Sequence, residues 1–268
     1  MHWKTDPGLY PPYLRGKIRR GRGVGFGQSY VPWLKIRDVP SQGTSSNVPG
    51  IIHHRPYHLL SELEAIYFFL TERKRTTVDV LEQWPILDID RTLELCAAAG
   101  VRHQYRGYIP QPFTIDFLIM EQSDTGVLTR AASIKTAEEA ADPAVRLRLS
   151  IEYDWCSQRG IPWTLVDTSA FNKTVLSNLR FIRAWFQHGE RPSEQAADRF
   201  AQRFLASYKP NVCLVDLINM TSKQLRLHQD LADGLFRYCA WSDRIPVSLK
   251  HLLEMNMPVV LHQQHERT

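Results

Sequence analysis

Hydrophobic positions between residues 59 and 100 repeat with a helical period, then a strand period, then a helical period again. Apolar side chains spaced three and four residues apart predict a first helix; they are Leu59, Leu63, Ile66, Tyr67 and Leu70. A short strand is predicted at 78–81, and the segment EQWP at 82–85 is expected to end it. A second helix is predicted at 92–99, because Gly100 follows it and glycine favours the left-handed conformation that closes helices.

The middle of the chain has the pattern of two buried strands. In FTIDFLIM at 113–120, alternation separates Asp116 from the large apolar side chains of the opposite face. In LTRAASIK at 128–135, alternation places Ser133 and Lys135 together on one face. We therefore expect Ser133 and Lys135 to share a face of the sheet with the carboxylate of Asp116.

A helix with clear start signals is predicted to connect the second of these strands to a third. Asp142 is a good N-cap and Pro143 suits the first helical position, so a helix is predicted at 143–159. The strand IPWTLV follows at 161–166, and a strand–helix–strand connection of this kind makes its two strands parallel. These elements predict an α/β domain whose mixed, centrally parallel sheet is flanked by helices.

The last hundred residues have a different, mostly helical pattern. Helices are predicted at 171–187, 193–208, 212–219 and 222–240. Short strands at 245–247 and 259–261 would form a hairpin, and helices followed by a small hairpin are typical of a winged-helix domain. We predict two domains, 1–168 and 169–268. Within residues 1–57, which are rich in Gly, Pro and Ser, 30–41 is the only strand-like segment.

Composition indicates a globular protein without a membrane span. The chain has 268 residues, of which 43% are hydrophobic and 23% charged, and no apolar run approaches the length of a membrane helix. The first residues lack the apolar region of a signal peptide, so we expect a cytoplasmic protein. The four cysteines form no CxxC pair, and His53, His54 and His58 have no cysteine partner, so we expect reduced thiols and no zinc site.

Positive charge is concentrated near the N-terminus. Residues 1–60 hold nine Lys/Arg and two Asp/Glu, whereas the remainder holds 24 and 26, and the formal net charge of the chain is +5. The densest part comprises Lys17, Arg19, Arg20 and Arg22, which predicts contacts with nucleic-acid phosphates. A solvated arm tied down by its own domain is the alternative. The adjoining GRGVGFG is neither a Walker A loop nor a dinucleotide fingerprint, so we expect no bound nucleotide.

Three residues suggest the chemistry of a nuclease. Glu64 opens a helix, Asp116 lies within a buried strand, and Lys135 ends the next strand, which is the layout of a restriction-endonuclease-like core. Carboxylates are hard oxygen ligands for Mg²⁺, which neutralises a phosphodiester and lowers the pKa of an attacking water. A lysine beside the metal orients that water and compensates the charge that grows on the phosphorus oxygens.

Each of these residues also has a structural interpretation. Ser61 and Glu64 have the spacing of a capping box, in which Glu64 returns a hydrogen bond to Ser61. Lys135 at a strand end could simply be solvated. Asp116 is harder to explain in this way, because an unpaired carboxylate among apolar neighbours costs several kcal/mol.

The sequence resembles the TnsA family, the endonuclease subunits of heteromeric Tn-seven-like transposases. The segments that carry the resemblance are GRGVGFGQSYVPWLKIRDVPSQG (21–43), HLLSELE (58–64), LEQWPIL (81–87), FTIDFL (113–118), SIK (133–135), SIEYDW (150–155) and GIPWTLV (160–166). They cover nearly all of the first domain in the family's order and spacing, whereas the second domain matches less well.

The resemblance implies that Glu64, Asp116 and Lys135 are a catalytic trio that works with Mg²⁺, for which Mn²⁺ can substitute. Ser133 departs from the family, because such sites usually carry Gln or Glu there to help hold metal. Either water fills the gap, or a ligand comes from elsewhere, with Glu152 and Glu82 as candidates.

The resemblance also implies a bacterial, nucleoid-associated protein with defined partners. It would cut the 5′ ends of a transposon, which are the non-transferred strands, while a DDE transposase (TnsB) cuts and joins the 3′ ends. An AAA+ ATPase (TnsC) would license both and would contact the C-terminal domain. Two alternatives are a stand-alone restriction-like or junction-resolving nuclease and a non-enzymatic DNA-binding adaptor. The sequence leaves open whether the target is a fixed chromosomal site or is chosen by an RNA-guided complex.

Overall fold

The protein folds into two compact units. The computed structural model describes residues 2–39, 45–188 and 190–262. One unit comprises Met1–Glu72 and Thr76–Ala170, and the other comprises Arg73–Arg75 and Phe171–Thr268.

The first unit combines five α-helices with eight strands within the described residues. In chain order they are α1 (Pro12–Arg19), β1 (Ser46–Pro49), β2 (Pro56–Leu59), α2 (Glu62–Glu72), β3 (Thr77–Pro85), α3 (Ile89–Ala99), β4 (Tyr105–Arg106), β5 (Ile109–Pro110), β6 (Thr114–Ser123), β7 (Gly126–Ile134), α4 (Ala137–Ala141), α5 (Pro143–Ser157) and β8 (Trp163–Val166). The pairs β1–β2 and β4–β5 form separate antiparallel hairpins beside a four-stranded sheet.

The four-stranded sheet is mixed, with strand order β3-β6-β7-β8. Strands β7 and β8 are parallel and α5 connects them, as predicted. The expectation of a centrally parallel sheet is wrong, since β3, β6 and β7 are antiparallel neighbours. The reason is the connection between β6 and β7, where residues 124–125 form a tight hairpin turn that can join only antiparallel strands.

The predicted helix and strand around residue 80 exist, but both differ in detail. Helix α2 buries Ala65, Ile66 and the two phenylalanines that follow Tyr67, so its core face is rotated from the predicted stripe. Strand β3 is longer than predicted: it includes the EQWP segment and ends at Pro85. Its pairing with β6 continues through this segment, although Gln83 adopts a positive φ of 48°.

The N-terminal segment packs as helix and loop rather than as strand. Helix α1, which the pattern did not predict, buries Leu14 and Ile18 against Trp33. The predicted strand at 30–41 is wrong in its described part, which contains one bridge residue, Val31, and a 3-10 turn at Ile36–Asp38. Pro32 follows the bridge residue and lacks the N–H that a strand ladder needs. Gly23 explains part of the glycine-rich run: its φ is +70°, and a Cβ there would collide with the ring of Pro85.

The second unit is built mainly from helices. Its α-helices are α6 (Lys173–Arg183), α7 (Glu194–Ser207), α8 (Leu214–Leu225) and α9 (Gln229–Trp241). The predicted break near 220 falls later, where Arg226 adopts a left-handed conformation and closes α8. Between the two predicted C-terminal strands, the described residues form one antiparallel bridge, Val247 with Leu261. The winged-helix assignment therefore stays a prediction.

None of the helices within the described ranges combines the length and apolarity that crossing a bilayer requires.

A buried ion pair ties the β1–β2 hairpin to the sheet. Arg55 donates to the two carboxylate oxygens of Glu82 at 2.9 and 2.7 Å, and both side chains are almost completely buried. The rings of Tyr30 and Tyr57 flank the guanidinium, whose carbon lies 5.2 and 3.7 Å from their centroids. Burial raises the pKa of Glu82, although the charge of Arg55 opposes that effect. The charge of Glu82 is therefore tolerated because Arg55 is beside it.

We expect Arg55→Met to lower the free energy of unfolding by about 3–5 kcal/mol, because it leaves the charge of Glu82 buried without a partner. Chemical denaturation of the purified variant measures this change. The matched control is the double variant Arg55→Met/Glu82→Leu, which removes both charges and should recover most of the loss. A double variant as unstable as the single one would contradict this account.

Candidate active site

Asp116 and Lys135 meet at the point where β6 and β7 diverge. The register pairs Phe117 with Ala132, so the next positions along the two strands are Asp116 and Ser133. Asp116 Oδ2 accepts hydrogen bonds from the backbone N–H of Ile134 at 2.6 Å and from Lys135 Nζ at 3.3 Å. The carboxylate therefore lies on the same side of the sheet as the ammonium group, as the alternation predicts.

Glu64 is held beside this pair by the start of α2. Its Oε2 accepts from the backbone N–H of Leu60 at 2.8 Å and from Gln83 Nε2 at 3.5 Å. The Ser61 hydroxyl accepts from the backbone N–H of Glu64 at 3.1 Å, which is half of the predicted capping box. In a complete capping box the Glu64 carboxylate would accept from the backbone N–H of Ser61, but here it accepts from that of Leu60 instead. The carboxylate is directed past the start of the helix, toward the sheet. One side chain thus serves both the cap and the site.

Ser133 and Glu152 form the opposite wall of the site. Ser133 Oγ donates to Glu152 Oε2 at 2.6 Å and accepts from Trp163 Nε1 at 3.2 Å. Both Ser133 and Glu152 are buried. The short serine side chain is therefore bridged to a carboxylate that α5 supplies, and this places Glu152 next to Asp116 and Lys135. Glu82, the other candidate ligand, is excluded because Arg55 occupies both of its oxygens.

Burial and the charge of Asp116 raise the pKa values of the two glutamates. Burial, followed by the negative charge of Asp116, raises the pKa of Glu64 to about 8. The same two causes, in the same order, raise the pKa of Glu152 to about 7. Burial disfavours the charged form of Lys135, but Asp116, Glu152 and Glu64 outweigh it and raise the pKa of this amine. Glu64 and Glu152 therefore keep their protons to a higher pH than free carboxyl groups do.

Each of the three carboxylates keeps one oxygen without a hydrogen bond from the described residues. The bonds to Glu64 and Glu152 fall on Oε2, and those to Asp116 fall on Oδ2. As they stand, no three His, Cys, Asp or Glu side chains in the described part of the chain are arranged to hold a metal ion. The donor set still fits a hard divalent cation, since carboxylate oxygens are its preferred ligands and three carboxyl groups face a single lysine here.

Gln83 is a site residue that sequence reasoning missed. It lies between Glu82 and Trp84, which pair with Phe117 and Ile115 of β6, so it stands across from Asp116. Its amide contacts Glu64, its side chain is buried, and its φ of 48° is uncommon for a residue other than glycine. The EQWP segment gives no local signal for this conformation, which the surrounding strands impose.

The four predicted DNA-binding residues do not form one free surface. Arg22 is buried, donating to the carbonyl of Trp33 at 3.0 Å and pairing with Asp38, so its role in the fold is structural. Lys17 is half-buried, and its ammonium lies 4.3 Å from the centroid of the Trp33 ring. Arg19 and Arg20 are exposed at the end of α1.

Comparison with known proteins adds two findings. Residues 74–168 match the family described as TnsA-like endonuclease, N-terminal, a span that includes Asp116, Ser133 and Lys135. A curated relative, the transposon Tn7 transposition protein TnsA of Escherichia coli, is 30% identical over 199 residues, which are 74% of this chain and 70% of the relative.

The raised pKa values predict how stability responds to pH in metal-free protein. Folding raises the pKa of Glu64 from 4.5 to about 8, so the folded state keeps a proton that the unfolded state releases. The contribution of this carboxyl is therefore present below pH 4.5 and is lost as the pH rises toward 8. Glu64→Gln cannot ionise, so its melting temperature relative to the wild type should rise across this interval. Thermal melts in a chelating buffer measure the difference.

The control for this comparison is Glu138→Gln, which removes one exposed carboxylate from α4. Its melting temperature should follow that of the wild type at every pH. If Glu64→Gln and the wild type also run parallel from pH 5 to 8, the protonated buried carboxyl is wrong.

Proposed function

Since the chain belongs to the TnsA-like endonuclease family, we propose that it is the metal-dependent DNA endonuclease subunit of a transposase and cleaves the 5′ ends of the transposon. These are the non-transferred strands, and a DDE transposase subunit would cut and join the 3′ ends. The family relationship supports a nuclease with a role in transposition. The DNA strand that is cut, the metal ion and the partner subunits belong to the proposal.

The observation that carries the proposal is the convergence of three carboxylates on Lys135. Glu64, Asp116 and Glu152 come from α2, β6 and α5, and their charges act on one another and on the lysine. Buried like charges are costly in a purely structural role, because each opposes the ionisation of its neighbours. A site that recruits a cation and a phosphodiester gives these charges a function.

The residues divide the chemistry among them. A Mg²⁺ or Mn²⁺ ion held by Glu64 and Asp116, with Glu152 and Ser133 as weaker contributors, would neutralise the phosphate and lower the pKa of the attacking water. Lys135 holds its ammonium next to Asp116, where it can orient that water and compensate charge on the phosphorus oxygens. Water attacks phosphorus, the bond to the 3′-oxygen breaks, and a 3′-hydroxyl and a 5′-phosphate result.

The partners follow from the same proposal. The DDE subunit would bind the transposon ends and supply most of the sequence specificity, and an AAA+ ATPase would contact the second unit. In that unit, Met257 is 46% exposed and fits a protein interface, whereas Leu225, Leu227 and Met255 are half-buried. The proposed location is the bacterial cytoplasm, at the nucleoid.

We expect Asp116→Ala and Lys135→Ala each to lower 5′-strand cleavage by about 100-fold or more, because they remove a metal ligand or its cationic helper. Neither change touches the site that joins the 3′ ends, so strand transfer should continue. A donor that is joined at its 3′ ends and uncut at its 5′ ends is replicated into a cointegrate. Long-read sequencing of the transposition products should therefore show a shift from simple insertions to cointegrates.

The matched control for the lysine variant is Lys173→Ala, which removes an exposed lysine at the start of α6 and should still give simple insertions. Thermal melts of all three proteins must confirm that they are folded. If folded Asp116→Ala and Lys135→Ala still give only simple insertions, another protein cuts the 5′ strand. Cleavage of naked DNA by the purified chain alone would instead favour a stand-alone nuclease.

Metal binding should be visible without any reaction. Adding Mg²⁺ should raise the melting temperature of the wild type, because a ligand at a hundredfold excess over its Kd stabilises the folded state by about 2.7 kcal/mol. Asp116→Ala should lose this response, and Glu138→Gln should keep it. An equal shift in all three proteins would mean that the ion binds somewhere else, as a non-enzymatic adaptor protein would allow.

A further inference from the structure

A short hairpin projects from the first unit and ends in a fully exposed tyrosine. Strands β4 and β5 pair Tyr105 with Pro110 and Arg106 with Ile109, so Gly107 and Tyr108 form a two-residue turn. Gly107 has a φ of +61°, a conformation that such turns favour. Tyr108 is 101% exposed, and Tyr105 and Ile109 are 49% and 42% exposed. We call residues 105–110 the finger.

The base of the finger is anchored in the core. His103 is buried, its Nε2 lies 3.0 Å from Thr92 Oγ1 on α3, and its ring packs edge-on against Phe113 at 5.2 Å. The backbone N–H of Gln111 donates to the carbonyl of Gln104 at 2.9 Å and closes the base. The base of the finger is thus packed against the core, while its tip contacts no other part of the described chain. Large apolar side chains exposed in this way indicate a surface that a partner covers.

The charge around the finger selects the chemistry of that partner. Residues 101–112 contain Arg102 and Arg106 and no Asp or Glu, and residues 12–20 of α1 contain four Lys/Arg and no Asp or Glu. These 21 residues carry six positive charges, which exceeds the net +5 of the whole chain. Arg102, Arg106, Arg19 and Arg20 are exposed and make no ion pair within the described ranges. Such a surface suits a polyanion.

Helix α1 and the finger lie side by side. The positive charge of Arg106 helps to lower the pKa of Lys17, after burial and Arg22. The charge of Tyr105 helps to raise the pKa of Tyr13 on α1, after burial and the acidic Asp90. Helix α3 supports both elements: its Ile89 and Leu93 pack in one cluster with Leu14 and Ile18 of α1, and its Thr92 contacts His103 at the base of the finger. The end of α1 and the base of the finger are therefore neighbouring parts of one surface.

The width of the finger decides between the grooves of duplex DNA. Paired strands are about 4.7–4.9 Å apart before side chains are added. The minor groove, about 6 Å wide, is too narrow for such a ribbon, whereas the major groove, about 12 Å wide, admits one. We propose that the finger enters the major groove of the DNA beside the cleavage site, while the exposed Arg102, Arg106, Arg19 and Arg20 contact the neighbouring phosphates. The proposal rests on the proposed function, because it assigns how the nuclease holds its substrate.

The test is equilibrium binding of the full-length chain to a mixed-sequence duplex of about three helical turns, in a chelating buffer that prevents cleavage. Arg102→Ala/Arg106→Ala should reduce the slope of log affinity against log salt by about one for each lost phosphate contact. The matched control, Arg199→Ala/Arg203→Ala, removes two exposed arginines from α7 in the second unit and should leave the slope unchanged. Equal slopes for the two double variants would overturn the proposal.

The tip is tested separately. Tyr108→Ala should weaken binding by about tenfold through the loss of apolar contact with base edges, and Tyr108→Phe should bind like the wild type. Both variants should melt with the wild type, because Tyr108 has no packing to lose. Methyl green, which binds the major groove, should displace the wild-type protein from the duplex. Displacement by netropsin alone, which binds the minor groove, would overturn the groove assignment. Unchanged affinity of Tyr108→Ala would exclude the tip from the DNA contact and favour a protein partner.

The two proposals fail in different ways. Undiminished 5′ cleavage by Asp116→Ala would contradict the nuclease proposal and would leave the binding data for the finger unaffected. Unchanged DNA affinity and salt dependence of the finger variants would contradict the finger proposal, even if Asp116→Ala still abolished cleavage.

Discussion

Two buried glutamates and the half-buried Asp116 meet a single lysine, and the cost of their charges is the constraint on which the site depends. Burial and the negative charge of Asp116 both favour the protonated forms of Glu64 and Glu152. The fold holds the carboxyl groups with backbone bonds, from Ile134 to Asp116 and from Leu60 to Glu64. These bonds fix the positions of the groups but do not offset the cost of ionising the glutamates. Under the proposed function, a bound cation would favour the ionised forms of both glutamates.

The sheet fixes the positions of the site residues. Asp116 on β6 stands across from Gln83 on β3, and Ser133 follows Ala132, the last residue of β7 that pairs with β6. The spacing of these residues is therefore set by strands rather than by loops. Gln83 departs from strand geometry through its positive φ, and its side-chain amide donates to Glu64. Strained residues of this kind persist where the neighbouring structure over-determines them, and here β6 continues to pair on both sides of it.

Alternation along the strands was sufficient to place Asp116 and Lys135 together, because their positions depend on a period that the sequence displays directly. The roles of Arg22 and Glu82 could not be foreseen in this way. Arg22 belongs to a basic cluster by sequence, yet it is buried against Asp38, and Glu82 meets Arg55 across 27 positions of chain. Charge patterns along a chain do not reveal which side chains turn inward, since that depends on contacts between distant segments.

Ser133 shows how the site tolerates a short side chain. A longer residue there would place its own oxygen near Asp116, whereas the serine hydroxyl instead donates to Glu152 and recruits a carboxylate from α5. The donor set therefore depends on the connection from β7 through α5 to β8, whose parallel pairing holds the helix over the sheet. Trp163 on β8 donates to the same hydroxyl and fixes its direction. The edge strand of the sheet thus helps to position Glu152 through Ser133, which couples the packing of α5 to the surroundings of Lys135.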